Sequence, residues 1–197
     1  MKIKLVFIFL VGVIFAGCVG VASKGIFGTG VTVALDPRTI GTQIDDSIMQ
    51  KSLTRRILLK DKKYLLSISS KVLDGRIFLT GKVENPEEKL QLTKLAWETK
   101  GTRSVRSAIA IKGQTNFKGT AKDVLITSQL RTALIFNKLI KATNYNIDTI
   151  NGKTYIFGIA MTDDEKKEVI KEAQEVYGVK QVIPSIILVE ELSRNKN

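Results

Sequence analysis

Histidine is absent from this 197-residue chain, and that absence narrows the available chemistry sharply. Without an imidazole no Ser–His or Cys–His nucleophile can be assembled. A zinc site would have to use carboxylates alone, an improbable choice. No Gly-rich phosphate loop occurs in the required strand-to-helix setting. The 19 acidic residues allow a carboxylate pair, but nothing selects one, so the chain reads as a non-enzyme without cofactor or metal. The single cysteine, Cys18, rules out an internal disulfide. An apolar run at residues 5–17 spans 13 residues. That is too short to cross roughly 30 Å of hydrocarbon, which takes about 20 helical residues.

What the run does have is the dimensions of a secretory signal. Lys2 and Lys4 precede it, and it ends in Phe15-Ala16-Gly17-Cys18. Small residues before a cysteine resemble the bacterial lipobox, in which the thiol receives diacylglycerol, cleavage precedes the Cys, and the new amine is acylated. Residues 1–17 are therefore expected to be a signal peptide and Cys18 the lipidated N-terminus. The alternative is an uncleaved anchor with a chance cysteine. Val19 lacks the acidic character associated with inner-membrane retention, so delivery to the outer membrane, facing the periplasm, is expected.

The formal charge is +12, falling to +10 once Lys2 and Lys4 are removed. Such a balance favours anionic partners, and export makes nucleic acid the weaker candidate beside anionic lipid headgroups. The charge is unevenly spread. Residues 47–113 carry 15 basic and 6 acidic side chains, whereas residues 114–197 carry 12 and 10.

An internal repeat organises the chain. Leu73-Asp74-Gly75-Arg76-Ile77-Phe78-Leu79-Thr80-Gly81 aligns with Ile150-Asn151-Gly152-Lys153-Thr154-Tyr155-Ile156-Phe157-Gly158 at an offset of 77 residues. The same offset pairs Asp46 with Asp123, Leu53 with Leu130, Gly101 with Gly178 and Val105 with Val182. The chain divides into a signal peptide (1–17), a lipidated N-terminus and flexible tether (18–45), a first unit (46–112), a linker (113–119), a second unit (120–190) and a tail (191–197).

Each unit reads as α-β-β-α-β. Asp46 and Asp123 are placed as N-caps before helices of about 14 residues. Leu66, Ile68 and Val72 alternate as in a half-buried strand. Asp74-Gly75 and Asn151-Gly152 are strong hairpin signals, because a two-residue type I′ turn needs positive φ at both positions. The returning strands are expected over residues 76–83 and 153–160, with Gly81 and Gly158 marking a bulge or a close overlying element. Asn85, with Pro86 behind it, caps a second helix in the first unit; Thr162 with Glu165 forms a capping box in the second. Gly101 and Gly178 suit the helix ends, and last strands are expected over 105–111 and 182–189. The fold class is α+β, two helices on one face of a three-stranded sheet, twice over.

That order, the turn and mid-strand glycines, and the Gly-x-x-x-Val lead-in to the last strand resemble the BON domain. Residues 36–46, Asp-Pro-Arg-Thr-Ile-Gly-Thr-Gln-Ile-Asp-Asp, are similar to the segment preceding the first BON domain in dual-BON outer-membrane lipoproteins linked to division and envelope stress. The resemblance implies a periplasm-facing protein in the outer membrane that binds anionic phospholipid, chiefly through the first helix of its second BON domain.

In this chain that helix covers roughly residues 122–138. Its core stripe is expected to be Ile126, Leu130, Ala133 and Leu134. Val124, Leu125, Ile135 and Phe136 are then surplus apolar residues beside Lys122, Arg131 and Lys138, as an interfacial helix requires. The other reading is that they pack on the neighbouring domain. Arg55, Arg56, Lys60, Lys62 and Lys63 form the strongest basic cluster, either a second headgroup site or a solvated face. Trp97 is expected in the core. Two function classes stay open: a phospholipid-binding module, or an adaptor contacting outer-membrane assembly or division proteins.

Overall fold

Thr39, not Asp46, opens the first helix of the structure, a computed structural model that describes residues 36–113 and 117–192. The expected signal peptide, Cys18 and the tether up to residue 35 lie outside the described residues; residues 40–45, expected in the tether, instead form the start of the first helix. Helix α1 runs Ile40–Lys60, and the Thr39 hydroxyl accepts from the Thr42 amide at 3.2 Å. A four-residue helix α2 (Tyr64–Ser67) leads into β1 (Ile68–Leu73) and β2 (Arg76–Val83), then α3 (Pro86–Trp97) and β3 (Ser104–Ile111). The second repeat follows as α4 (Phe117–Phe136), β4 (Tyr145–Ile150), β5 (Lys153–Ala160), α5 (Asp163–Glu175) and β6 (Gln181–Leu188). A short 3₁₀ turn, Ala142–Asn144, stands where α2 stands in the first repeat.

The two sheets have orders β1-β2-β3 and β4-β5-β6. In each, the first pair is antiparallel and the second parallel, with the second helix as the crossover. Both hairpins close on the expected two-residue turns, with positive φ at Asp74, Gly75, Asn151 and Gly152.

Asp46 and Asp123 are buried inside their helices, and this corrects the capping assignment. The Asp46 carboxylate accepts from the amides of Asp74 (2.7 Å) and Gly75 (2.8 Å). That of Asp123 accepts from Asn151 and Gly152, both at 2.9 Å. The repeated aspartate therefore binds the first helix to the hairpin turn, whose outward-pointing amides have no strand partner.

Other expectations shift locally. Leu66 is not a strand residue: it sits in α2 and is almost fully exposed. Gly101 and Gly178 have positive φ but fall beyond α3 and α5, in the turns to the last strands. Thr162 does accept from the Glu165 amide (3.1 Å), yet the Glu165 carboxylate takes the amides of Met161 and Lys141 instead of closing the box on Thr162. Trp97 is exposed at the end of α3, because the core-facing positions of that helix are Leu92 and Ala96.

Each domain has its own core between helices and sheet. Leu53, Ile77, Leu79 and Leu92 are central in the first; Leu130, Leu134, Ile156 and Val169 are central in the second. Alternation along the strands places a second apolar set on the sheet faces turned away from the helices. Phe78 and Thr80 of β2, and Phe157, Ile159 and Ile187 of the second sheet, are buried there. Phe78 stacks on Phe157, and the Thr80 hydroxyl donates to Asp148 at 2.7 Å. The domains thus meet sheet to sheet, within one compact unit that begins at Pro37.

Candidate functional site

Helix α4 is apolar on more than one side. Ile126, Leu130 and Leu134 are buried on the sheet, with Ala133 half-buried beside them, as the expected core stripe requires. The residues left off that stripe do not pack on the first domain. Leu125 is 62% exposed, Ile135 67% and Phe136 80%, and Val124 is exposed as well.

Advancing about 100° per residue, the outward face of α4 contains Ala121, Val124, Leu125, Ser128, Gln129, Thr132, Ile135 and Phe136. Over residues 121–136 no charged position falls within it. Lys122 and Arg131 are nine residues apart, which puts them about 180° apart on the helix, one at each edge of the face. Lys122 holds its ammonium 5.9 Å from the centroid of the exposed Tyr177 ring. Arg131 donates to the Ile147 carbonyl at 3.1 Å, which fixes the guanidinium at the sheet side. Lys138 is exposed in the turn after the helix, beside Leu139, a largely exposed apolar residue outside the expected set. The end of α4 is secured where Asn137 donates to Glu172 (2.7 Å) and Glu168 (3.2 Å) of α5.

One edge of this face opens on a cleft of about 790 Å³ between the domains. Val124 and Arg131 line one wall, and Leu65 and Leu66 of α2 the other. The pair Leu65-Leu66 went unread as a surface feature because its alternation with Ile68 mimics a strand. The available signal was Asp61, whose carboxylate accepts from the Lys63 amide at 2.9 Å and starts a new turn.

The basic cluster of the first domain is partly neutralised. Arg56 pairs with Glu98 at 2.7 Å and Lys63 with Glu88 at 2.5 Å. Arg55, Lys60 and Lys62 remain exposed on and after the last turns of α1. Among the described residues no group of three acidic or thiol side chains is placed to hold a metal ion. Nor is any described helix long and apolar enough to cross a membrane.

A family model described as the BON domain matches residues 45–113 and again 122–190. An uncharacterised protein of the gshII 5′ region of Anaplasma centrale is 35% identical over 139 residues, covering 67% of this chain and 92% of the relative. The outer membrane lipoprotein DolP of Haemophilus influenzae is 28% identical over 171 residues, covering 85% and 86% of the two chains. A 21 kDa hemolysin of Actinobacillus pleuropneumoniae is 24% identical over 163 residues, covering 81% and 82%.

Proposed function

The chain belongs to the BON-domain family and is a lipid-anchored outer-membrane protein; from that premise we propose that it binds anionic phospholipid through α4. The observation that carries this reading is the outward face of α4, uncharged over residues 121–136, with a cation at each edge. In a lipid interface the face would sink to the acyl boundary, while Lys122 extends to headgroup phosphates and Arg131 offers them the N–H groups that Ile147 does not engage. Lys138 and Leu139 would continue the same division just beyond the helix.

Magnitudes decide which part matters most. Each cation near an anionic surface contributes about 1 kcal/mol, fading within a Debye length. Burying a Leu, Ile or Phe side chain contributes about 1.5–3 kcal/mol. Apolar insertion therefore dominates, and charge selects which lipid is bound. Acyl chains on Cys18 would hold the protein at the membrane, leaving α4 free to respond to local lipid composition.

The test is vesicle binding by the mature chain carrying Cys18→Ser, with phosphatidylglycerol vesicles compared with phosphatidylcholine. Leu125→Glu should weaken binding to the anionic vesicles by about tenfold or more, since it removes buried area and adds repulsion. Charge reversal at Arg55, Arg56 and Lys60 together should have a smaller effect. If only the triple variant loses binding, the lipid site lies in the first domain.

A specific feature supports a second reading, an adaptor for outer-membrane assembly or division proteins. Ile40, Ile44 and Ile48 are exposed at intervals of four along α1, an apolar stripe away from α4. Crosslinking in cells from Ile44 but not from Leu125 to protein partners would favour it.

A further inference from the structure

On the outward face of the first sheet, where it leaves the contact between domains, the side chains become cationic. Arg76 and Phe78 alternate on that face of β2, and their partners across the parallel ladder are Ser104 and Arg106 of β3. The four positions form a square with the two arginines on one diagonal, roughly 8 Å apart between Cα atoms from strand spacing and rise. Across a cleft of about 530 Å³ stand Lys166 of α5 and Ser185 of β6. Arg103 also lines the cleft, but its guanidinium is engaged by Asp74.

No acidic residue lines this opening. Among the described residues Arg76, Arg106 and Lys166 have neither an ion-pair nor a side-chain hydrogen-bond partner. Three like charges around one space repel each other, and no acidic residue in the lining offsets the repulsion. The stacked Phe78 and Phe157 rings fix the two sheets beside it, so the strands that carry Arg76 and Arg106 are already in place before any ligand arrives.

We infer that this cleft binds a phosphate-class oxyanion, shared between the two domains. Arg76 and Arg106 offer planar forks suited to phosphate oxygens, Lys166 adds a point charge, and Ser104 and Ser185 supply hydroxyl donors. A phosphate brings more acceptor oxygens than the two of a single carboxylate, in a tetrahedral array that can engage cations from both domains. No residue of α4 lines the cleft, so it is separate from the outward face of that helix and stands independently of the lipid reading. The phosphate can come from a lipid headgroup or from a soluble molecule.

The experiment uses the mature chain with Cys18→Ser at fixed ionic strength, titrated with pyrophosphate or with monomeric dihexanoyl phosphatidylglycerol. Binding is read by calorimetry and by the rise in Tm. A response to either probe that falls at least about tenfold in Arg76→Gln with Arg106→Gln supports the site, and the probe that responds identifies the source. Lys51→Gln with Lys60→Gln, on exposed α1, should leave the response intact. Should the arginine double variant fail to fold, single Arg106→Gln and Lys166→Gln variants carry the test on the same criterion. No response to either probe, or an equal loss in the α1 control, overturns the inference.

Discussion

Phe78 stacks on Phe157 with ring centroids 4.5 Å apart and planes inclined by 25°. The two are not equivalents under the 77-residue offset, which pairs Phe78 with Tyr155 and Phe157 with Thr80. The contact between the repeats is therefore heterologous, each domain contributing a different surface. Both rings are nearly fully buried, so Phe157→Ala should cost about 3–5 kcal/mol. It should also split unfolding into two transitions, one per domain, where the parent chain should show one. Differential scanning calorimetry reads both effects.

Asp123 tests the link between helix and turn. Asp123→Ala leaves two buried turn amides without acceptors and should destabilise by about 3 kcal/mol. Asp123→Asn keeps one oxygen acceptor and should lose roughly half as much. Denaturant unfolding of the two variants makes the comparison. Equal losses would show that helix packing, not the carboxylate, secures the turn.

Gly158 admits no side chain. A Cβ there would lie 2.4 Å from Cδ1 of Tyr145 and 2.6 Å from the Asn144 carbonyl. Gly158→Ala should therefore cost about 3 kcal/mol through forced movement of β4. At Gly81 the conflict is with backbone, the Ser67 carbonyl at 2.0 Å, and φ is +134°. Gly81→Ala should be at least as damaging, as measured by urea midpoints.

The sequence made the repeat, the strands and the turns readable because each rests on local chemistry. Two residues of positive φ demand Asp-Gly or Asn-Gly, and β2 and β5 keep the bounds that alternation predicts. Asp46 misled because an aspartate near a helix start is locally indistinguishable from a cap; its partners lie 28 and 29 residues away. Trp97 misled for a similar reason, since hydrophobicity alone does not say which side of α3 faces the sheet. The α4 face was visible as surplus apolar residues. That they stay exposed depended on the domains meeting through their sheets, a long-range outcome set by Phe78, Thr80 and Phe157.

The Lys63–Glu88 pair gives a pH signature. The Lys63 ammonium holds the Glu88 carboxyl below its ordinary value of 4.5, and Glu88 raises Lys63 above 10.5. A depressed carboxylate contributes stability above its unfolded pKa and loses it as pH falls through the folded one. A raised lysine contributes below its unfolded pKa and loses it as pH rises through the folded one. The Tm difference between the parent chain and Glu88→Gln should thus be flat from about pH 5 to 10 and shrink at both ends. A difference that grows toward acid would contradict the pairing.

Anchoring is tested at Cys18. Cys18→Ser should leave an unprocessed precursor without lipid label, detected by palmitate labelling and the size of the chain on gels. Normal cleavage and membrane retention of that variant would remove the lipoprotein reading of the N-terminus.

Arg38 stands at the start of the folded unit and pairs with Asp46 at 2.5 Å, on the same carboxylate that holds the first hairpin turn. A load drawn along the chain from its N-terminal side meets this junction before it can peel α1 from the sheet. The force is shared at once between a helix and a β-turn, so the first domain should yield as a unit under tension. Arg38→Ala would remove the outer link of this junction and leave the load on the two turn amides held by Asp46, a softer response under the same pull.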